Sequence, residues 1–312
     1  MAWSEDRLHR WLARRLGGGG VIGRPGHDAV VFGRDPGRPV MCCDQVIVGV
    51  HVDPDERPAL IGAKAALRTL SDLAATASRP RGLLAAVRAP SAIDEVWLQR
   101  LLAGLDRAGS QYGARLMGGD LACAEGPPSV SVTALGTADA SRPPVHRDRG
   151  RPGQTLLATG RFGGSRLGRH LRPRPRIQAG LWLQKQGATA MMDVSDGLAW
   201  DLFRLARSSE VRIVLEDVPV HPDARRASLM SERTALDHAL HDGEDHELLA
   251  LLPASKAEAA LLAGERARSS LELASPDRIR RLGRVERGRG LQLEVDGQTR
   301  TWDPEEGGWR HG

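Results

Sequence analysis

The chain alternates short strand-like apolar runs with helical segments, and it does so twice, on either side of a Pro-, Arg- and Asp-rich stretch at residues 138–153. That alternation is the strongest constraint on folding, because it requires a mixed α/β (α+β) architecture rather than a bundle or a sandwich. In the first half it predicts strands over 29–32, 40–43 and 46–50, a long helix from Pro58 to Ala77, a strand over 82–87 and a helix over 93–108. Two further strands are expected at 115–117 and 130–135. The second half predicts strands at 155–159, 190–193, 212–215, 248–252, 280–284 and 291–295, with helices over 175–186 and 196–208. An amphipathic helix over 4–16, capped by Ser4, ends at the run Gly17 to Gly20. At 312 residues the chain suits two domains. The expected division is 1–137, a linker over 138–153, and 154–312.

Composition narrows the function by exclusion. The net charge of +5 is carried mainly by arginine, with Lys64, Lys185 and Lys256 the only lysines. The densest basic run, Arg166 to Arg176, has no aromatic interleaving and no nucleic-acid motif, which argues for surface or anion-binding roles and against nucleic acid as a partner. Cys42, Cys43 and Cys123 have neither disulfide nor zinc spacing. No stretch approaches ~18 uninterrupted apolar residues, so no membrane span is expected. The opening residues lack a basic segment followed by an apolar run, which predicts a cytoplasmic protein without a signal peptide.

The acidic residues carry the chemistry. They stand singly beside glycine or small residues in six segments: Gly26-His27-Asp28, Cys43-Asp44, Leu70-Ser71-Asp72, Gly118-Gly119-Asp120, Asp193-Val194-Ser195-Asp196-Gly197 and Asp242-Gly243-Glu244-Asp245. Glycine lets the backbone approach a ligand closely, and converging carboxylates need cations between them. Hard oxygen donors suit Mg²⁺, which commonly bridges to phosphates. Around Asp193–Gly197 two readings stand together: Ser195 or Asp196 caps the following helix, or the helix start offers amides to phosphate while the aspartates hold a cation. Asp72 falls in a small, apolar helix, where an isolated carboxylate would be costly. Gly118-Gly119-Asp120 suits an anion contact but is equally a tight turn. The histidines near Asp242 (His238, His241, His246) lack zinc spacing.

Taken in order, these segments resemble thiamine-monophosphate kinases, members of the aminoimidazole-ribonucleotide-synthetase-like superfamily. The matching segments are Asp28, Asp44 with His51, Lys64 to Ala75, Gly118 to Asp120, Arg172 to Ile177, Asp193 to Leu198 and Gly243 to Leu248. The resemblance implies an N-terminal α/β domain pairing in a homodimer, a C-terminal α/β domain, and ATP-dependent phosphorylation of thiamine monophosphate to thiamine diphosphate. Under it, Asp28, Asp44, Asp72, Asp120, Asp193 and Asp196 resemble Mg²⁺ ligands, with Asp72, Asp120 and Asp196 at the reaction centre. Gly119, Asp120, Arg147 and Ser195 resemble nucleotide contacts, and His51, Glu244 and Trp309 resemble thiamine-site residues. The chain departs from the family pattern at His27, Cys42, Cys43, Thr69, Thr76, Ala77 and Leu121. Thiols are poor Mg²⁺ ligands, so a diverged member that binds a nucleotide or phosphorylated small molecule without turnover is the alternative expectation.

Overall fold

A computed structural model of the chain describes residues 7, 8, 11, 14, 21, 22, 31, 32, 37–273, 277–295, 297–304 and 307. The expected helix over 4–16 falls largely outside the described residues, as do His27, Asp28 and Trp309 entirely. The chain divides into two compact units, Met1–Leu73 with Ser78–Pro143, and Ala74–Ala77 with Pro144–Gly312.

In the first unit, a two-stranded pair, β1 (Val21–Ile22) and β2 (Val31–Phe32), accompanies a four-stranded sheet. The sheet runs β3 (Arg38–Ile47), β6 (Ser129–Ala138), β4 (Ser78–Ala89), β5 (Leu116–Cys123), with β4 and β5 parallel and the other pairs antiparallel. Side chains alternate between the faces, so register decides what each residue meets. Cys42, Asp44 and Val46 share a face with Ala134, Val132 and Val130. Helices α1 (Pro58–Ala75) and α2 (Glu95–Ser110) pack on that face: Leu73 of α1 lies against Gly136, and Gly109 of α2 lies against Leu83. Asp94 caps α2 by accepting the Trp97 amide at 2.6 Å. Along α1 from Leu60 to Ala75, every residue is buried except Arg68 and Asp72, which are half-buried. The small, apolar composition dictates this burial, and the i, i+4 spacing puts the two exceptions on one stripe.

Two expectations are corrected in this unit. The separate strands over 40–43 and 46–50 are one strand, because β3 pairs with β6 without interruption from Arg38 to Ile47. Asp44 therefore sits within a strand rather than opening one. The chain turns away only after Ile47, where Gly49 takes φ +84°. The strand expected to stop at Met117 continues through Gly118-Gly119-Asp120 to Cys123. Gly119 permits this because its bare α-carbon lies flat against β4, where a Cβ would stand 1.8 Å from the Ala85 carbonyl oxygen.

The second unit is built on a seven-stranded sheet in the order β13 (Gln298–Thr301), β12 (Gly290–Val295), β9 (Arg212–Leu215), β11 (Arg280–Glu286), β7 (Gln154–Ala158), β10 (Leu248–Pro253), β8 (Ala190–Asp193). Its central strand β10 reads as a continuous apolar run, and every residue of its neighbour β7 is buried, as in strands covered on both faces. Helices α3 (Ile177–Gln186), α4 (Leu198–Ser209), α5 (Pro222–Ser228), α6 (Ala235–His241) and α7 (Ala254–Arg266) complete it. The core gathers Leu156, Leu202, Leu205, Ile213, Leu249 and Trp302. Antiparallel pairing of β8 with β10 sets Asp193, the last residue of β8, opposite Leu248, the first of β10. That register brings the Asp193–Leu198 and Gly243–Leu248 segments to one end of the sheet. No helix among the described residues is long and apolar enough to cross a membrane.

Candidate functional site

In the first unit, β3 and α1 assemble a polar group. Arg68 of α1 reaches Asp44 of β3 at 3.6 Å, and Asp72 follows one helical turn after Arg68. Cys42, on the Asp44 face, donates its thiol to the Thr69 carbonyl at 3.2 Å, while the Thr69 hydroxyl donates to Ala65 O. Cys42 and Thr69 thus tie strand to helix. Cys43 lies on the opposite face of β3 from Asp44 and is exposed. His51 folds back on the end of β3: its Nδ1 accepts the Ile47 amide at 3.0 Å, which places the ring proton on Nε2. Its carbonyl accepts from the fully buried Lys64 ammonium at 2.7 Å. Asp120 is exposed on β5 and registers with Ala86, on the other face of the sheet from Asp44. Strands β6 and β4 separate them, a span of roughly 14 Å. The structure therefore groups Asp44 with Asp72's stripe of α1 and leaves Asp120 with Gly119 at the far edge.

In the second unit, the two acidic segments form one hydrogen-bonded block. The amides of Glu244 and His246 donate to Ser195 O (2.7 Å) and Val194 O (2.8 Å), and the Val194 amide donates to Glu247 O (2.9 Å). Gly243, Glu244 and His246 all adopt left-handed backbone conformations, with φ of 73°, 54° and 52°, which lets the segment fold closely over Ser195. Asp193 accepts from His246 Nδ1 at 3.2 Å. Asp196 pairs with Arg204, which also lies 3.3 Å from Asp201 and over the Trp200 ring.

The helix-start readings are corrected. Helix α4 begins at Leu198 with Gly197 as its N-cap and no side-chain cap, so neither Ser195 nor Asp196 caps it. The amides of Ser195 and Asp196 do not point to open space either: both donate to Asp201 Oδ2 at 2.9 Å. Asp201 is fully buried, and burial, then repulsion from Asp196 and Asp193, pushes its carboxyl up to about 8.

The other segments buttress this block. Glu247 is held by buried Arg176 (Nε to Oε2, 2.8 Å) and by the Thr159 hydroxyl, and Arg176 also meets Asp277 at 3.3 Å. Asp245, fully buried, accepts the Gly163 amide and Arg169 Nη2 at 3.0 Å. Its burial outweighs both and raises the carboxyl to about 7. The histidines do not converge: His238 bonds Asp242 and Ser231, His241 stacks on Trp302, and His246 meets Asp193. Glu244 is half-buried beside Ser195, and Arg147 is exposed, its carbonyl accepting from Ser209.

Among the described residues, no three His, Cys, Asp or Glu side chains come close enough together to hold a metal ion. Mg²⁺ needs no such cage, because it keeps several waters and takes one or two carboxylates plus substrate phosphates. The all-oxygen donors of Asp44, Asp72, Asp193 and Asp196 suit that ion.

Residues 26–138 match the family described as AIR synthase related protein, N-terminal domain. A thiamine-monophosphate kinase of Synechococcus elongatus is 35% identical over 272 residues, covering 78% of this chain and 81% of the relative. The structure of a thiamine-monophosphate kinase from Stenotrophomonas maltophilia K279a superposes with a TM-score of 0.78 at 30% identity, over 93% of this chain and 95% of that one. The structure described as AaThiL complexed with AMPPCP and TMP superposes at 0.75 with 26% identity, over 98% and 95%.

A two-unit α/β chain with these acidic segments and this N-terminal domain falls in the AIR-synthase-related class. Within that class, the chain belongs to the thiamine-monophosphate kinase family.

Arg68, Arg204 and Asp201 escaped the sequence reading. Asp201 had a signal, an acid in the first turn of a helix following Asp-Gly. The arginines had none, since arginine is abundant throughout.

Proposed function

We propose that the protein catalyses ATP-dependent phosphorylation of thiamine monophosphate to thiamine diphosphate. The observation that carries this reading is the hydrogen-bonded union of Asp193–Leu198 with Gly243–Leu248, in a chain that aligns over most of its length with thiamine-monophosphate kinases. A relative of the same fold has been solved with AMPPCP and TMP, an ATP analogue and the acceptor this reading requires.

In the reaction, a phosphate oxygen of thiamine monophosphate forms a bond to the γ-phosphorus of ATP. The bond from that phosphorus to the β–γ bridging oxygen breaks, and its electron pair leaves with ADP. The acceptor oxygen is already anionic near neutral pH, so no side chain has to remove a proton. Positioning and charge neutralisation are the protein's contribution. Mg²⁺ supplies the charge neutralisation when bound.

Asp44 and Asp72 would hold Mg²⁺ in the first unit, and Asp193 and Asp196 would do so in the second, with Asp28 and Asp120 as further ligands. Arg68 and Arg204 balance the charge of Asp44 and Asp196 in the ligand-free protein. Gly119, Asp120, Ser195 and the exposed Arg147 contact the nucleotide. His51, Glu244 and Trp309 contact thiamine monophosphate, and the Nε2–H tautomer of His51 offers a donor. The chain acts in the cytoplasm as a homodimer. The sheet face that leaves Met41 and Leu84 substantially exposed is where a second copy would pack.

The direct test incubates purified protein with ATP, Mg²⁺ and thiamine monophosphate and measures thiamine diphosphate. Product well above that of Asp72→Asn supports the assignment, and equal yields refute it.

A further inference from the structure

His246 is 2% exposed, and its ring is engaged on one side only. Nδ1 stands 3.2 Å from Asp193 Oδ2, whereas Nε2 is buried with no hydrogen-bond partner among the described residues. Because the carboxylate can only accept, Nδ1 carries the proton and Nε2 its lone pair. Burying an unsatisfied ring nitrogen costs stability, and so does a non-glycine residue at φ +52°. Both costs are met at one residue, and both are tied to Asp193. The His246 amide bonds Val194 O, the carbonyl next to Asp193, and Val194 N bonds Glu247 O, the carbonyl next to His246. The backbone pairing therefore fixes His246 beside the Asp193 segment, and the ring bonds the carboxylate.

We infer that His246 is a positioning residue that fixes the Asp193 carboxylate for divalent-cation binding. The inference rests on reading Asp193 as a Mg²⁺ ligand. Hydrogen bonds to a ligating carboxylate set its orientation, and losing such a partner typically weakens metal affinity by ~10–100-fold.

The test measures Mn²⁺ affinity of the full chain by electron paramagnetic resonance, with no turnover involved. His246→Asn places an amide N–H near the Nδ1 position and tolerates left-handed backbone. His246→Gln places its amide near Nε2 instead. The expected result is near-native affinity for the Asn variant and a ~10–100-fold loss for the Gln variant. Equal affinities in the two variants, whether both retained or both lost, overturn the inference. Asp193→Asn runs alongside: if it leaves Mn²⁺ affinity unchanged, the metal-ligand reading of Asp193 fails by itself. Nitrogen-15 spectra of the unsubstituted protein give a second check independent of variant folding. The His246 signal is expected to show the Nδ1–H tautomer, and an Nε2–H tautomer overturns the inference.

Discussion

Removing Arg176 should destabilise the second unit more than any other single charge deletion around Glu247. The guanidinium is 5% exposed and bonds both Glu247 oxygens, Asp277 and the Glu272 carbonyl. Glu247 is itself buried, with Thr159 as its other side-chain donor. Arg176→Met fills similar volume but strands the carboxylate, and breaking a buried pair in this way costs ~3–5 kcal/mol. Glu247→Gln should cost less, ~1–2 kcal/mol, because Arg176 keeps Asp277 and the amide still accepts from Thr159. The double variant leaves no buried charge alone, so its cost should fall short of the sum by ~2–3 kcal/mol. Urea unfolding followed by tryptophan fluorescence reads all three, since Trp302 lies in this unit's core. Kinase activity should drop in Arg176→Met below the unfolding midpoint too, because Glu247 O anchors the Val194 amide beside Asp193. A cost under about 1 kcal/mol for Arg176→Met, or additivity within about 0.5 kcal/mol, would refute the reasoning.

Four further outcomes follow from the same structure. Asp245 has its carboxyl raised to about 7, so the native state binds a proton that the unfolded state releases near 3.8. Stability should fall as pH rises from about 4 to 7, and Asp245→Asn should flatten that slope in denaturation curves collected across the range. His221 is held down to about 4, by burial and then by Arg169, and its Nδ1 accepts the Asp223 amide as the cap of α5. Between pH 6.5 and 4 the unfolded state binds the extra proton, so stability is lost on acidification, and His221→Asn should keep the cap while reducing that loss. Gly119→Ala forces a methyl group into the Ala85 carbonyl and should cost ~3 kcal/mol or more, visible as a lowered unfolding midpoint. Cys43→Ser should leave the Mg²⁺ concentration for half-maximal activity within about twofold of native, because Cys43 faces away from Asp44 and stands across β6 and β4 from Asp120 on its own face; a larger shift would place Cys43 among the metal contacts.

The strand–helix alternation was legible because strands such as Leu248–Pro253 are pure apolar runs and helices such as Leu198–Ser209 are amphipathic. Helices α5 and α6 were not legible, since seven residues are too few for a helical period to show. Helix α7 escaped for another reason: its buried positions are Ala257, Ala260 and Gly264, which carry little hydrophobic signal. At Gly118-Gly119-Asp120, local turn chemistry predicted a break, and pairing with β4 overrode it.

The departures from the family pattern looked alike in the sequence, and the fold separates them. Cys42 and Cys43 are adjacent, yet strand alternation sends them to opposite faces. Cys42 takes a strand-to-helix hydrogen bond with Thr69, and Cys43 is exposed on the far side of the sheet from Asp44. Thr69 turns its hydroxyl back to its own helix, so Cys42 and Thr69 are packing partners between β3 and α1, while Cys43 stands apart from both. Arg68, on the half-buried stripe of α1, brings a positive charge within 3.6 Å of Asp44. Arg204 stands in the same relation to Asp196. Each arginine offsets a carboxylate that the proposed function assigns to Mg²⁺, and under that proposal each would give way to the ion. The consequence is competition: a fixed cation lowers the affinity for a mobile one. Under the proposed function, Arg68 and Arg204 would therefore set how tightly Mg²⁺ is held at Asp44 and Asp196.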